Sequence, residues 1–216
     1  KSFLNLYRRG RDKLAGKDFT EFCDALLPAM SPMFFRDLAN EEGMRSLKVR
    51  EWGFRYLVSA SSTLDSLMKF NGLRIEVCDY LLQGRKQIWV ENPDMSLLLD
   101  YHAGGVLRSL YHKDSAVNLL NAWRDDAEPT FGFLDCLLPN ADMTAQQIEQ
   151  ALSMREYLLR DPYEYRIKRL DSGAEIELLE EQGFAVGAKR GVFHVDKKFT
   201  LNPSTSEIVA NYQLGN

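Results

Sequence analysis

Asp100-Tyr101-His102-Ala103-Gly104-Gly105 is the stretch whose residue types come nearest to chemistry. An imidazole beside a glycine pair can work as a general base in a cleft, and the amides of such a loop can hold an oxyanion. A site near His102 therefore defines an enzyme reading, the third in rank. It lacks a nucleophile, since the chain has no Gly-x-Ser-x-Gly elbow, and a helix broken at the two glycines explains the same residues. No catalytic residue is assigned. His112 and His194, the other histidines, do not stand at ligand spacing, so neither a metal nor a cofactor is expected. Cys23, Cys78 and Cys136 fit neither a disulfide framework nor a metal knuckle and read as buried, reduced thiols of a cytoplasmic protein.

Charge carries the other two readings. Residues 1–90 hold 15 basic against 11 acidic side chains, and residues 91–161 hold 5 against 12. Arg8, Arg9, Arg11 and Lys13 form a basic arm near the start, and Lys189, Arg190, Lys197 and Lys198 sit where hairpin tips are expected. These eight are the candidate residues for binding a partner or nucleic acid, while Asp125, Asp126 and Glu128 form a candidate acidic partner patch. Complementary patches favour a non-catalytic module that binds another protein or a second copy of itself, which is the leading reading. Nucleic-acid binding through the arm and the tips is the alternative. Glu175 to Phe193 could even form a recognition helix with a basic-tipped wing, but its four carboxylates would face the phosphates.

The elements that must position these residues follow from period. Helices are expected over Phe3–Leu14, weakened at Gly10, then from a cap at Asp18 to Pro28, and over 33–40 behind Ser31-Pro32. A helix over 44–70, broken near Gly53 and stopped by Asn71-Gly72, precedes a shorter one over 73–82 and a strand at Gln87–Val90. Helical spacing recurs over 95–101 and 106–111, behind a cap at Ser115, and over 131–138. Thr144-Ala145-Gln146-Gln147 has the spacing of a capping box for a helix that ends at Asp161-Pro162.

Beyond Pro162 the period becomes two. A hairpin turning at Ser172-Gly173 would set Ile167 opposite Leu178 and Lys168 opposite Glu177. A second hairpin is expected around Lys189-Arg190, and a third across Asn202–Thr205. The expectation is an α+β fold, with a mostly helical bundle over 1–161 packed against an antiparallel β-meander over 162–216 as one continuous unit. With 45% hydrophobic and 27% charged residues the chain is not a disordered tail, and no apolar run approaches the roughly 20 residues of a membrane helix. A first residue of Lys, with no leader pattern behind it, suggests part of a longer protein.

Overall fold

The computed structural model describes residues 2–30, 47–79, 84–120, 132, 144–147, 162–186, 189–205 and 207–215. The fold is α+β, with helices near the start and two antiparallel sheets. Among the described residues no helix is long and apolar enough to cross a membrane. Residue contacts divide the chain into two compact units, one of residues 1–98, 108–131 and 203–206, the other of 99–107, 132–202 and 207–216.

The first unit begins with α1 (Ser2–Lys13), α2 (Gly16–Leu26), a 3-10 turn (Leu27–Met30) and α3 (Leu47–Leu67). Leu6, Phe22, Leu26, Ala29, Ala60 and Leu64 close their common core. Gly10 does not weaken α1: a Cβ there would run into the ring of Phe22, so the missing side chain is what lets α2 approach. α2 starts at Gly16 behind Ala15, which makes no side-chain cap, so the expected cap at Asp18 is corrected. Asp18 instead sits in the first turn, where its charge favours the helix N-terminus. α3 runs through Gly53 without a break. It stops before Asn71-Gly72 because Lys69 is left-handed (φ 51°) and the amide of Phe70 turns back to the carbonyl of Asp65 at 2.8 Å. The segments expected helical at 33–40 and 131–138 lie outside the described residues, save the single residue Gly132, which makes a bridge with Leu107.

Where more helix was expected, the chain forms a five-stranded sheet in sequential order: β1 (Arg74–Cys78), β2 (Gln87–Glu91), β3 (Met95–Asp100), β4 (Val106–His112) and β5 (Val117–Asn118). The strand expected at 87–90 is there; the helices expected at 95–101 and 106–111 are corrected to β3 and β4, and that expected at 73–82 to β1 over Arg74–Cys78, its residues 80–82 lying outside the described ones. Arg74-Ile75-Glu76-Val77-Cys78 alternates with period two, and chance helical matches at Leu73, Val77 and Leu81 masked it. All six residues of β3 are buried, and a strand covered on both faces loses the alternation that would mark it. Ser115 caps no helix. Its hydroxyl meets His112 Nδ1 at 2.9 Å in the turn that leads into β5.

The second unit holds β6 (Glu164–Leu170), β7 (Gly173–Val186), β8 (Lys189–Leu201) and β9 (Ile208–Gly215), a meander in the order β6-β7-β8-β9. The expected register of the first hairpin is off by two: Ile167 faces Ile176, Lys168 faces Glu175, and Asp171-Ser172 makes the turn. Gly173 is needed inside the strand instead, at φ 150°, where a Cβ would strike the carbonyl of Leu201. A shift of two keeps each side chain on its face, so apolar still meets apolar and opposite charges still pair, Glu177 now with Arg166 in place of Lys168. The second and third hairpins pair Val186 with Lys189 and Leu201 with Ile208. Ala174 to Gln182 is strand, so the winged-helix alternative falls.

Candidate functional site

Two places gather polar side chains where the fold buries them, one in each unit. In the first unit, α3 carries Leu57, Val58, Leu64 and also Ser61 and Asp65 on the face it turns inward. β1 places Arg74 directly opposite Glu91 of β2, and Lys113 follows β4. Lys113 is fully buried; its Nζ donates to Asp65 Oδ2 at 2.5 Å and to the carbonyl of Asn92 at 3.2 Å, and stands 3.2 Å from Glu91 Oε1. Arg74 bridges the same two carboxylates, at 3.1 Å to Asp65 and 2.5 Å to Glu91, and lies 4.2 Å from the ring centroid of Phe70. Ser61 Oγ donates to Glu91 in a very short contact.

Arg9 of α1 completes the cluster less tightly, 3.6 Å from Asp65 and 3.8 Å from Glu91. Its Nη2 is buried with no hydrogen-bond partner among the described residues. Burial pushes the Arg9 guanidinium below its ordinary pKa; Glu91 and Asp65 oppose that shift and Arg74 adds to it. Three cations thus share two carboxylates. A cluster of this kind adds little net stability over an apolar one, yet removing a member takes a hydrogen bond from partners that are themselves buried. Beside it opens a cleft of about 60 Å³ that Arg9, Ser61 and Glu91 line together with Asn5, Glu76, Asp79, Trp89 and Ser96.

In the second unit the inward face of the meander carries Ala174, Ile176, Leu178, Val195, Phe199 and Leu201, all buried, and among them Lys197. Lys197 is 1% exposed; its Nζ donates to the carbonyl of Gly104 at 2.7 Å and lies 5.0 and 5.6 Å from the ring centroids of Tyr163 and Tyr212. The Gly104 carbonyl belongs to the loop that held the enzyme reading. There Tyr101 packs on Tyr165 at 4.7 Å and accepts the amide of Tyr163 at 2.7 Å, and burial, then Tyr165 and Asp100, raise its phenol pKa. His102 stacks on Tyr101 at 4.2 Å, and its amide donates to Asp100 at 3.2 Å. These contacts fix the loop in place and bring no nucleophile to the imidazole among the described residues.

The expected binding residues are not gathered into one surface. Arg8, Arg11 and Lys13 are exposed on α1, with Arg11 on its neighbour Asp12 at 2.9 Å, whereas Arg9 turns into the cluster. The placement of Lys189 and Arg190 at a tip is corrected: both are paired strand residues that open β8, Lys189 opposite Val186 and Arg190 opposite Ala185. The placement of Lys197 and Lys198 at a tip is corrected: both lie mid-strand, Lys197 inward and Lys198 outward, 2.8 Å from Glu175 and 3.9 Å from Glu177. The Glu175 hydrogen bond raises the Lys198 pKa. Asp125, Asp126 and Glu128 lie outside the described residues.

Sequence reasoning missed Asp65, Glu91, Arg74, Lys113 and Ser61. One signal was present: Ser61 and Asp65, four apart, interrupt an otherwise apolar helix face.

No protein-family profile and no curated protein matches the sequence. Among solved structures, a 4-alpha-glucanotransferase from Thermococcus litoralis is similar in fold, with a TM-score of 0.51 and 21% identity, over 76% of this chain and 27% of that one. This chain thus spans about a quarter of the length of that structure.

Proposed function

We propose that the chain is a non-catalytic assembly module that pairs strand β9 with β9 of a second copy, within a larger glucan-acting protein or complex. The observation that carries this is the chemistry of the edge. Among the described strands β9 has one neighbour, β8, and Ile208-Val209-Ala210-Asn211-Tyr212-Gln213-Leu214-Gly215 contains neither a charge nor a proline. Leu214 is 71% exposed, and Val209 and Tyr212 are exposed as well. Open edges are ordinarily blunted by charge, proline or a bulge, and one that is not offers its backbone to another strand.

The sequence of β9 is complementary to itself. In an antiparallel pair centred on Asn211, Ile208 meets Leu214 and Ala210 meets Tyr212 on the apolar face, while Asn211 meets its own copy on the polar face. The setting is supported by the likeness to part of a 4-alpha-glucanotransferase, where this fold is one portion of a larger chain.

Sedimentation equilibrium tests the pairing. The chain should dimerise in the micromolar range, and Leu214→Lys should weaken the dimer at least about tenfold, because the ammonium would face Ile208. A monomer at every concentration, or a dimer indifferent to Leu214→Lys and Tyr212→Lys, would overturn it.

A further inference from the structure

The four-stranded meander has two outer strands, and they differ in charge. β9, at one edge, carries none. β6, at the other, reads Glu164-Tyr165-Arg166-Ile167-Lys168-Arg169-Leu170, three cations and one carboxylate in seven residues, and Arg166, Lys168 and Arg169 are all exposed. Side chains alternate along a strand, so Arg166 and Lys168 share the outer face while Tyr165, Ile167 and Arg169 share the inner one. In the β6–β7 register Arg166 stands opposite Glu177 and Lys168 opposite Glu175. Those carboxylates turn the other way: both form their ion pairs with Lys198 of β8, at 3.9 and 2.8 Å. Among the described residues the three cations of β6 make no ion pair.

The backbone on this side is open as well. The two-residue turn Asp171-Ser172 closes the hairpin on the pair Leu170 and Gly173, so Leu170, Lys168, Arg166 and Glu164 exchange hydrogen bonds with β7. The N–H and C=O groups of Arg169, Ile167 and Tyr165 then point away from β7. Tyr163, next in the same series, shows what such a group does with an acceptor in reach: its amide donates to the carbonyl of Tyr101 at 2.7 Å. From Tyr165 on, β6 has β7 as its one neighbour among the described strands.

Charge decides which strand could join this edge. A second β6, antiparallel about Ile167, would set Arg166 of each copy against Lys168 of the other, and like charges directly opposite repel. The uncharged β9 of another copy would leave the three cations unmatched. An extended segment with acids two residues apart meets Arg166 and Lys168 on the outer face, and an apolar residue between them lies beside Ile167 on the inner face. The carboxylates nearby narrow this pattern without reversing it. Glu175 and Glu177 lie one strand further in and are held by Lys198, while Glu164 would repel a third acid and so confines the pair to the positions opposite Arg166 and Lys168. Edge cations guard a sheet against strands like themselves; against an acidic strand they are no guard.

We infer that the open edge of β6 is a docking site for an extended acidic segment of another protein, of the pattern acid, apolar, acid, added to the meander as a further strand. This does not rest on the pairing of β9, which concerns the opposite edge, and either can fail without the other.

The test is a titration of the full chain into a fluorescein-labelled peptide of alternating Thr and Val with Glu-Val-Glu at its centre, followed by anisotropy at low salt, beside peptides with Lys-Val-Lys or Ser-Val-Ser in its place. Only the acidic peptide should bind below about 1 mM, and added salt should weaken it. Arg166→Gln combined with Lys168→Gln should weaken it about fivefold or more, the loss of two cross-strand charge pairs. Amide exchange reads the backbone without any variant: the acidic peptide should protect Ile167 and Arg169 and leave Arg166 and Lys168, already bonded to β7, as they were. Should the double variant melt early, that alternation decides alone. No saturable binding of the acidic peptide, equal binding of either control peptide, affinity unchanged in the double variant, protection centred on β9 or elsewhere, or tighter binding of a single-stranded oligonucleotide than of the acidic peptide would each overturn the assignment.

Discussion

Among the described residues each unit buries one lysine almost completely, and the two are accommodated by different chemistry. Lys113 stands among carboxylates, with Asp65 at 2.5 Å and Glu91 at 3.2 Å, and the same carboxylates also hold Arg74 and Arg9. Lys197 has a main-chain carbonyl at 2.7 Å and two aromatic rings, on a face otherwise made of aliphatic and aromatic side chains. The first arrangement is a network in which every member depends on the others. The second is a clamp, one long side chain tying a loop to a sheet. Removing Lys113 from the network takes a hydrogen bond from buried carboxylates that other side chains also hold; removing Lys197 from the clamp takes one from the Gly104 carbonyl in an apolar setting. The same ion therefore carries unequal stakes in the two places.

An identical substitution in both units measures the difference. Lys113→Met should cost about 3–5 kcal/mol, because it leaves Asp65 and Glu91 sharing Arg74 and a loosely held Arg9. Lys197→Met keeps the stem and its contacts and gives up the hydrogen bond to Gly104, so it should cost about 1–3 kcal/mol. Urea denaturation of the two variants checks the ordering, and equal losses would mean that the clamp is as tightly coupled as the network. Next in size, Gly10→Ala should destabilise by about 1–3 kcal/mol through its clash with Phe22, without touching either lysine. Its double variant with Lys113→Met should be additive if the α1–α2 contact and the network are independent, which denaturation of the set would show. Smallest of all, Lys198→Ala should leave the denaturation midpoint where it is. Its ion pairs with Glu175 and Glu177 lie on the outer face with the lysine itself exposed, one residue from Lys197 and without its consequences.

How far these arrangements could be read beforehand depended on what each element faces. The meander beyond Pro162 was legible because one side is solvated and the pattern alternates; even the two-residue slip at Asp171-Ser172 left the faces intact. The first helices were legible for the same reason at period 3.6. β3 was not, since Met95 to Asp100 is buried throughout and a run without a polar side has no period to detect. Lys197 could have been placed: it falls in step with Val195, Phe199 and Leu201, and the adjacent Lys198 made the pair resemble an exposed basic tip. The network at Lys113 could not. Its members come from residues 9, 61, 65, 74, 91 and 113, and only folding makes neighbours of them.

The turn at Asn92 adds a matter of timing. Asn92 gives its carbonyl to Lys113 and caps the turn by accepting the amides of Asp94 and Met95, and all of these groups lie within a short stretch of chain. Its side-chain amide, however, donates to the carbonyl of Thr205 at 2.9 Å, a partner 113 residues away. On the ribosome, where the chain grows at about 5–20 residues per second, that last bond waits several seconds after the lysine has been made. A nascent chain released at residue 200 would hold every member of the network and still lack the bond that finishes the turn beneath it. Pulse-labelled exchange at Asn92 Nδ2 would register its arrival as a late step in maturation.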